Sequence, residues 1–170
     1  MNMAISTDFR NRLDEAITLP DVFELVKSLV LRNMGKSRGG LMLGLANLGN
    51  NPPAFLGGFF TTGSNVIVLN RIPLQRIMET RPEIFKSYVF HVLLHEYIHS
   101  LGFLDEAEVR SRVLALSREG LGKEHPATRM AEDYSEFISC LAYPGLTWKA
   151  DDEKMELVKG FDRSSATYIA

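Results

Sequence analysis

Residues 91–105 read HVLLHEYIHSLGFLD, and the meaning of this stretch decides the rest of the chain. His95 and His99 stand four positions apart, so on an α-helix they differ by about 40° in direction and about 6 Å in height. Their imidazoles therefore share one face and can grip one divalent cation. Glu96 lies on the flank of that face, better placed to take a proton from a water than to bind the ion. Phe90, Leu93, Leu94, Tyr97, Ile98 and Leu101 occupy the rest of the surface. That pattern predicts a helix buried in a core with its histidines turned toward a cleft.

Working outward, Pro82 suits a helix's first turn and Gly102 its end, which places the helix at about 84–101. Upstream, Leu41–Leu48, Ala54–Thr61 and Asn65–Asn70 are strand candidates divided by Gly, Asn and Pro, with Val66-Ile67-Val68-Leu69 the clearest. A small antiparallel sheet is expected from them. Near-helical spacing of Phe9, Leu13 and Ile17, then of Val22, Leu25, Val26, Leu29 and Val30, predicts two opening helices separated at Pro20-Asp21. Downstream, Asp105 is suited to cap a helix reaching about Glu119, with Glu108 as its reciprocal partner and Gly120-Leu121-Gly122 as its stop. A last helix is expected from Pro126 to about Leu141. The expectation is an α+β fold in a single domain over 1–170, its small sheet packed on the histidine helix and further helices at both ends.

The composition is that of an ordinary globule: 170 residues, 45% hydrophobic and 24% charged. A formal net charge of −2 gives no general attraction to nucleic acid or anionic membranes. The apolar region from Gly39 to Phe60 is broken by Asn47, Asn50, Asn51, Pro52 and Pro53, well short of the ~20 residues a membrane span needs. One cysteine, Cys140, excludes an internal disulfide, and charges interrupt the first residues where a signal peptide would be apolar. A reducing, cytoplasmic setting is the expectation.

HEYIH following NVIVLN resembles the zincin metallopeptidases, whose active-site helix carries HExxH after a small antiparallel sheet. The resemblance spans roughly residues 54–140 and is specific for the superfamily, not for a family within it. It implies zinc on His95 and His99, Glu96 as general base on the catalytic water, and a peptide or protein substrate. Against it stands accident, because a five-residue pattern with two free positions arises in unrelated helices. With 4 histidines in the whole chain, accident is the weaker account.

A catalytic zinc takes three protein ligands, so a third is needed. His125, in the loop Gly122-Lys123-Glu124-His125-Pro126, offers an imidazole in a manner similar to SprT-like minimal zincins. Asp105 completes His95-Glu96-x-x-His99-x-x-Gly102-x-x-Asp105, which resembles the extended metzincin motif with aspartate as its last ligand; plain helix capping also accounts for it. Met130 falls in a predicted helix and provides no Met-turn. Glu132, four before Glu136, looks like a gluzincin ligand and its supporting acid, or the two belong to a solvated face. The three stay open, with His125 placed first on ligand chemistry. His91, one turn before His95, is assigned to packing or to supporting a ligand.

Two other enzymatic details are expected. An edge among the strands at 54–70 can receive an extended peptide, with Gly57-Gly58 allowing close approach. Tyr134, Arg129 and Tyr88 are candidates to stabilise an oxyanion. Rival readings are a non-catalytic, metal-stabilised binding or regulatory module, a helical interaction protein without metal, and a metal-dependent endoribonuclease. The last rests on His95-x3-His99-x2-Gly102, which looks like part of the histidine motif of a bacterial ribosomal-RNA maturation endoribonuclease, and is opposed by Glu96, the missing last histidine and the acidic balance.

Overall fold

A computed structural model of the chain describes residues 3–48, 57–141 and 155–162. Two helices come first, α1 (Met3–Glu15) and α2 (Leu19–Met34). Thr18 starts α2 with a reciprocal cap: its hydroxyl accepts the Asp21 N–H at 3.2 Å and the Asp21 carboxylate accepts the Thr18 N–H at 2.9 Å. Pro20 thus sits in the first turn, where its missing N–H is not needed. Ile17, expected on the apolar stripe of the first helix, lies beyond it and is 90% exposed.

Three strands follow, β1 (Met42–Ala46), β2 (Gly58–Phe60) and β3 (Val66–Asn70), and a fourth, β4 (Glu156–Val158), comes from the end of the chain. The strand order is β2-β3-β1-β4. β2 and β3 form an antiparallel hairpin with Gly63 at φ 87° in the turn, and β4 runs antiparallel to β1. β1 and β3 are parallel, with Met42 opposite Val66 and Ala46 opposite Asn70. The expected all-antiparallel sheet is therefore corrected to a mixed one. The cause is strand order: β3 folds in beside β1 and leaves β2 outside, where a simple meander would have put β2 between them. Residues 54–56 of the second strand candidate lie outside the described residues.

Asn70 joins sheet to helix. Its side-chain oxygen accepts the Ile72 N–H at 3.2 Å, capping α3 (Arg71–Thr80), and also the Leu48 N–H at 3.1 Å. Its own N–H donates to the Gly57 carbonyl at 2.8 Å. One buried residue thus ties together the exit of β1 and the start of α3 through its side chain and the start of β2 through its backbone. Sequence reading left residues 71–80 without an element.

After a 3-10 turn at Pro82–Ile84, helix α4 (Phe85–Ser100) runs through the middle of the fold. Phe90, Leu93, Leu94, Tyr97 and Ile98 are fully buried, each such side chain contributing about 1.5–3 kcal/mol. α4 packs against α2, β2, α3, α5 (Glu106–Leu121) and α6 (Pro126–Glu132). Its C-terminal end is pinned to the hairpin by Arg38, whose guanidinium donates to the Ser100 carbonyl at 2.7 Å and the Ser64 carbonyl at 2.9 Å. Gly102, at φ 105°, then turns the chain sharply, a conformation that favours glycine.

The single last helix expected over 126–141 is three pieces: α6, a 3-10 turn at Ser135–Phe137, and α7 (Ile138–Leu141). Asp133 breaks it. Its backbone is extended and its carboxylate accepts both the N–H and the hydroxyl of Ser135 at 2.9 Å, a local bond that competes with the helix. Residues 155–162 return to the core, with Phe161 stacked on Phe23 at 3.9 Å and Asp162 pairing with Lys27 and accepting the Leu41 N–H at 3.2 Å. The buried side chains form one cluster, and the described residues make a mixed α and β fold of seven α-helices and one small sheet. No helix among them is long and apolar enough to cross a membrane.

Candidate metal centre

Of the residues in α4 only Phe85, Lys86, His95 and His99 are not buried, so the histidine face is the helix's one opening to solvent along its second half. Facing it is Glu106, the first residue of α5. His95 Nε2, His99 Nε2 and a Glu106 oxygen lie within 4.8 Å of one another, the one group among the described residues with the composition and spacing to hold a metal. His95 Nε2 stands 3.3 Å and His99 Nε2 2.6 Å from Glu106 Oε1. Ligand atoms about 2.0–2.1 Å from a tetrahedral zinc stand about 3.3 Å apart, so small side-chain movements suffice to admit the ion.

The donor chemistry fits as well. The Phe103 carbonyl, 2.8 Å from His99 Nδ1, can only accept, so Nδ1 carries the proton and Nε2 turns its lone pair toward Glu106. Such a carbonyl partner on the far ring nitrogen is the usual support of a metal-binding imidazole. Burial depresses the His95 pKa, against the pull of Glu106, and so favours the neutral, ligating form. Burial tends to raise Glu106, but its hydrogen bond with His99 and the charge of His95 prevail and hold the carboxyl below its ordinary range.

None of the three anticipated third ligands joins this group. His125 caps α6 instead: its Nδ1 accepts the Ala127 N–H at 3.1 Å, and the charges of Asp14 and Arg10 in α1 reach it. The imidazole placed first on ligand chemistry is therefore spent on a helix terminus. Asp105 caps α5, accepting the Glu108 N–H at 3.0 Å, so its carboxylate faces its own helix. The expected return bond from Glu108 is replaced by a pairing with Arg112 at 2.9 Å. Glu132 pairs with Arg118 at 3.4 Å, and Glu136 with Arg129. Glu106 went unnoticed in the sequence, although the signal was there. Once Asp105 is a cap, the next residue is the first of the helix and points back across the Gly102 turn toward α4.

Glu96 is 6% exposed, and burial, opposed by His99 and assisted by the Glu106 charge, raises its pKa to about 7. It borders a cavity of about 640 Å³ together with His95 and Glu106. Gly57 and Gly58 from the sheet edge form part of the wall. A Cβ on Gly58 would meet the Val68 carbonyl of β3 at 2.6 Å and Val92 of α4 at 3.3 Å, and one on Gly57 would meet Tyr88 Oη of α4 at 2.9 Å, so the close packing of this edge against β3 and α4 favours glycine at both positions. Tyr134 is also a wall residue, its ring edge-on to His91 with centroids 5.0 Å apart. Of the other oxyanion candidates, Tyr88 has its hydroxyl buried and Arg129 is engaged with Glu136. Met130 lines the cavity from within α6, as a helical residue and not in a turn.

Comparison with protein-family models, with curated proteins and with solved structures finds no match to this chain. The functional reading accordingly rests on the site's own geometry.

Proposed function

We propose that the chain is a zinc-dependent metallopeptidase, with His95, His99 and Glu106 as ligands and Glu96 as general base. The observation that carries this reading is the meeting of two imidazole nitrogens and one carboxylate at the mouth of a cavity that a buried carboxyl also borders. Two histidines and a glutamate make a ligand set of catalytic zinc, and zinc held there supplies a Lewis acid and a water of lowered pKa. The chain's own residues do the rest. Glu96, held near neutrality by burial, accepts the proton of the attacking water and returns it to the leaving amine. Edge strand β2 presents its backbone to an extended peptide beside the cavity, and Tyr134 offers a hydroxyl to the developing oxyanion.

Untagged protein loaded with zinc and incubated with a mixed peptide library tests the reading. Glu96→Gln is expected to keep its zinc while losing about 10²–10⁴-fold in kcat. Equal hydrolysis by Glu96→Gln and the unaltered protein rejects the mechanism.

A further inference from the structure

The cavity reaches past the ligands, and its two ends differ. Arg110, Glu132 and Asp133 are exposed wall residues and mark the mouth, whereas His91, Val92, Val113, Met130 and Leu141 are buried and mark the floor. His91 stands one helical turn before His95, is 5% exposed, and has its Nδ1 buried without any hydrogen-bond partner. A second buried polar atom without a partner lies close by: Tyr88 Oη, in a side chain 1% exposed, packs against the wall glycine Gly57. Buried polar groups are almost always paired, so the unpaired nitrogen of His91, a wall residue, asks for a partner from outside the chain, whereas Tyr88 is not among the residues that line the cavity.

We propose that the floor of this cavity recognises an aromatic group bearing a neutral hydrogen-bonding tip, a phenol above all, with His91 as the residue that reads the tip. The aliphatic side chains of the floor and the edge-on ring of Tyr134 suit a flat apolar body. The tip is neutral for electrostatic reasons. A charged tip would have to leave water for a floor of buried aliphatic side chains, which is costly, whereas a neutral one is not penalised in that way. The phenol has two sources, a tyrosine side chain of a peptide or a free small molecule. The tyrosine form rests on the peptidase reading. His91 lies about 6 Å from His95 along the helix, so a tyrosine on the floor sits next to the scissile bond.

Two arms of one experiment separate these cases. The full chain without metal is titrated with p-cresol and with toluene while the His91 ring resonances are followed by NMR. p-Cresol is expected to bind about fivefold more tightly, the worth of one neutral hydrogen bond, and His91→Phe to erase the difference. His91→Leu, which also lacks a hydrogen-bonding atom, is the second variant should His91→Phe not fold, and is likewise expected to erase the preference. Equal binding of the two probes, or a preference untouched in the folded variants, overturns the proposal. In the second arm, zinc-loaded protein receives peptides differing only in tyrosine or phenylalanine beside the scissile bond. A tyrosine preference of about fivefold in kcat/KM, lost in His91→Phe, assigns the floor to the substrate. Phenol selectivity with cleavage indifferent to tyrosine assigns it to a free phenol. Phenol selectivity with no cleavage of any peptide removes the peptidase reading and leaves the floor standing. Cleavage with no phenol selectivity in either arm does the reverse.

Discussion

His99 Nε2 and Glu106 Oε1 stand 2.6 Å apart, while His99 Nδ1 already donates to the Phe103 carbonyl. With its one proton on Nδ1, a neutral His99 meets an ionised carboxylate as two acceptors face to face, which needs a proton or a cation between them. A proton and a divalent cation thus compete for the place between the two atoms. Cation binding at neutral pH is therefore expected to release protons, measured as a buffer-dependent enthalpy in calorimetric zinc titrations. A zinc-binding enthalpy independent of the buffer's ionisation heat counts against the pairing described.

The identity of the third ligand is the next point to test. Glu106→Gln keeps the shape of the side chain and its contact with α4 but replaces the ionised oxygen that faces both imidazoles. Loss of an outer partner of a zinc ligand typically weakens binding about 10–100-fold, so loss of a direct ligand is expected to weaken it by at least about 100-fold. His125→Gln is expected to leave affinity unchanged, since its Nδ1 serves an α6 backbone N–H. Competition with a chromophoric chelator measures both, and a large loss in His125→Gln would restore it as ligand.

Asp105 separates the role of cap from that of ligand. Its carboxylate accepts the Glu108 N–H, so Asp105→Ala is expected to lose about 1 kcal/mol of stability, whereas Asp105→Ser, another good cap, loses little. Zinc affinity is expected to stay level in both. Urea unfolding of the metal-free variants, paired with the chelator assay, makes the comparison; a serine variant that folds normally yet loses zinc contradicts it.

These residues show what the sequence carries and what it does not. Local physics was legible. The His95, Glu96 and His99 helix, the strand at Val66–Asn70 and the Asp105 cap follow from spacing and capping chemistry within a few residues. What depends on distant partners was not. The parallel pairing of β1 with β3 arises because β3 displaces β2 from its neighbour, and no local pattern in Leu41–Leu48 records that. Helix α3 hides behind Pro73, which reads as a breaker but lies in the first turn, where its N–H is not required. Residue chemistry favours imidazole as a third ligand, whereas the direction a residue faces at a helix start is what brings Glu106 to His95 and His99. His125 and Glu132 were chemically plausible and geometrically elsewhere.

β2 depends on a glycine more directly than on any side chain. A Cβ at Gly58 falls 2.6 Å from the Val68 carbonyl, a rigid backbone atom, and 3.3 Å from Val92 on α4. Gly58→Ala is therefore expected to cost about 1–3 kcal/mol and to push β2 away from the cavity. If the peptidase reading holds, KM should rise more than kcat falls, because the edge that receives substrate moves while Glu96 and the ligands stay. Thermal unfolding and steady-state kinetics check the two halves, and an alanine variant with unchanged stability contradicts the packing.

Two buried groups on α4 pull the stability of the metal-free protein in opposite directions with pH. Burial lowers His91 from 6.5 to about 3, so between those values the unfolded chain holds a proton that the folded one lacks, and stability falls as pH drops below 6.5. Burial raises Glu96 from 4.5 to about 7, so between those values the folded chain holds the extra proton, and stability falls as pH rises above 4.5. Each slope approaches about 1.4 kcal/mol per pH unit, and between pH 4.5 and 6.5 they largely cancel. Glu96→Gln is expected to expose the His91 slope, with stability rising toward pH 6.5 relative to the unaltered protein. His91→Phe is expected to expose the Glu96 slope, with relative stability falling over the same interval. Chemical denaturation in chelator at several pH values, read as differences from the unaltered protein, tests the pair. Parallel pH profiles for all three proteins would show that neither group is buried in the protonation state described.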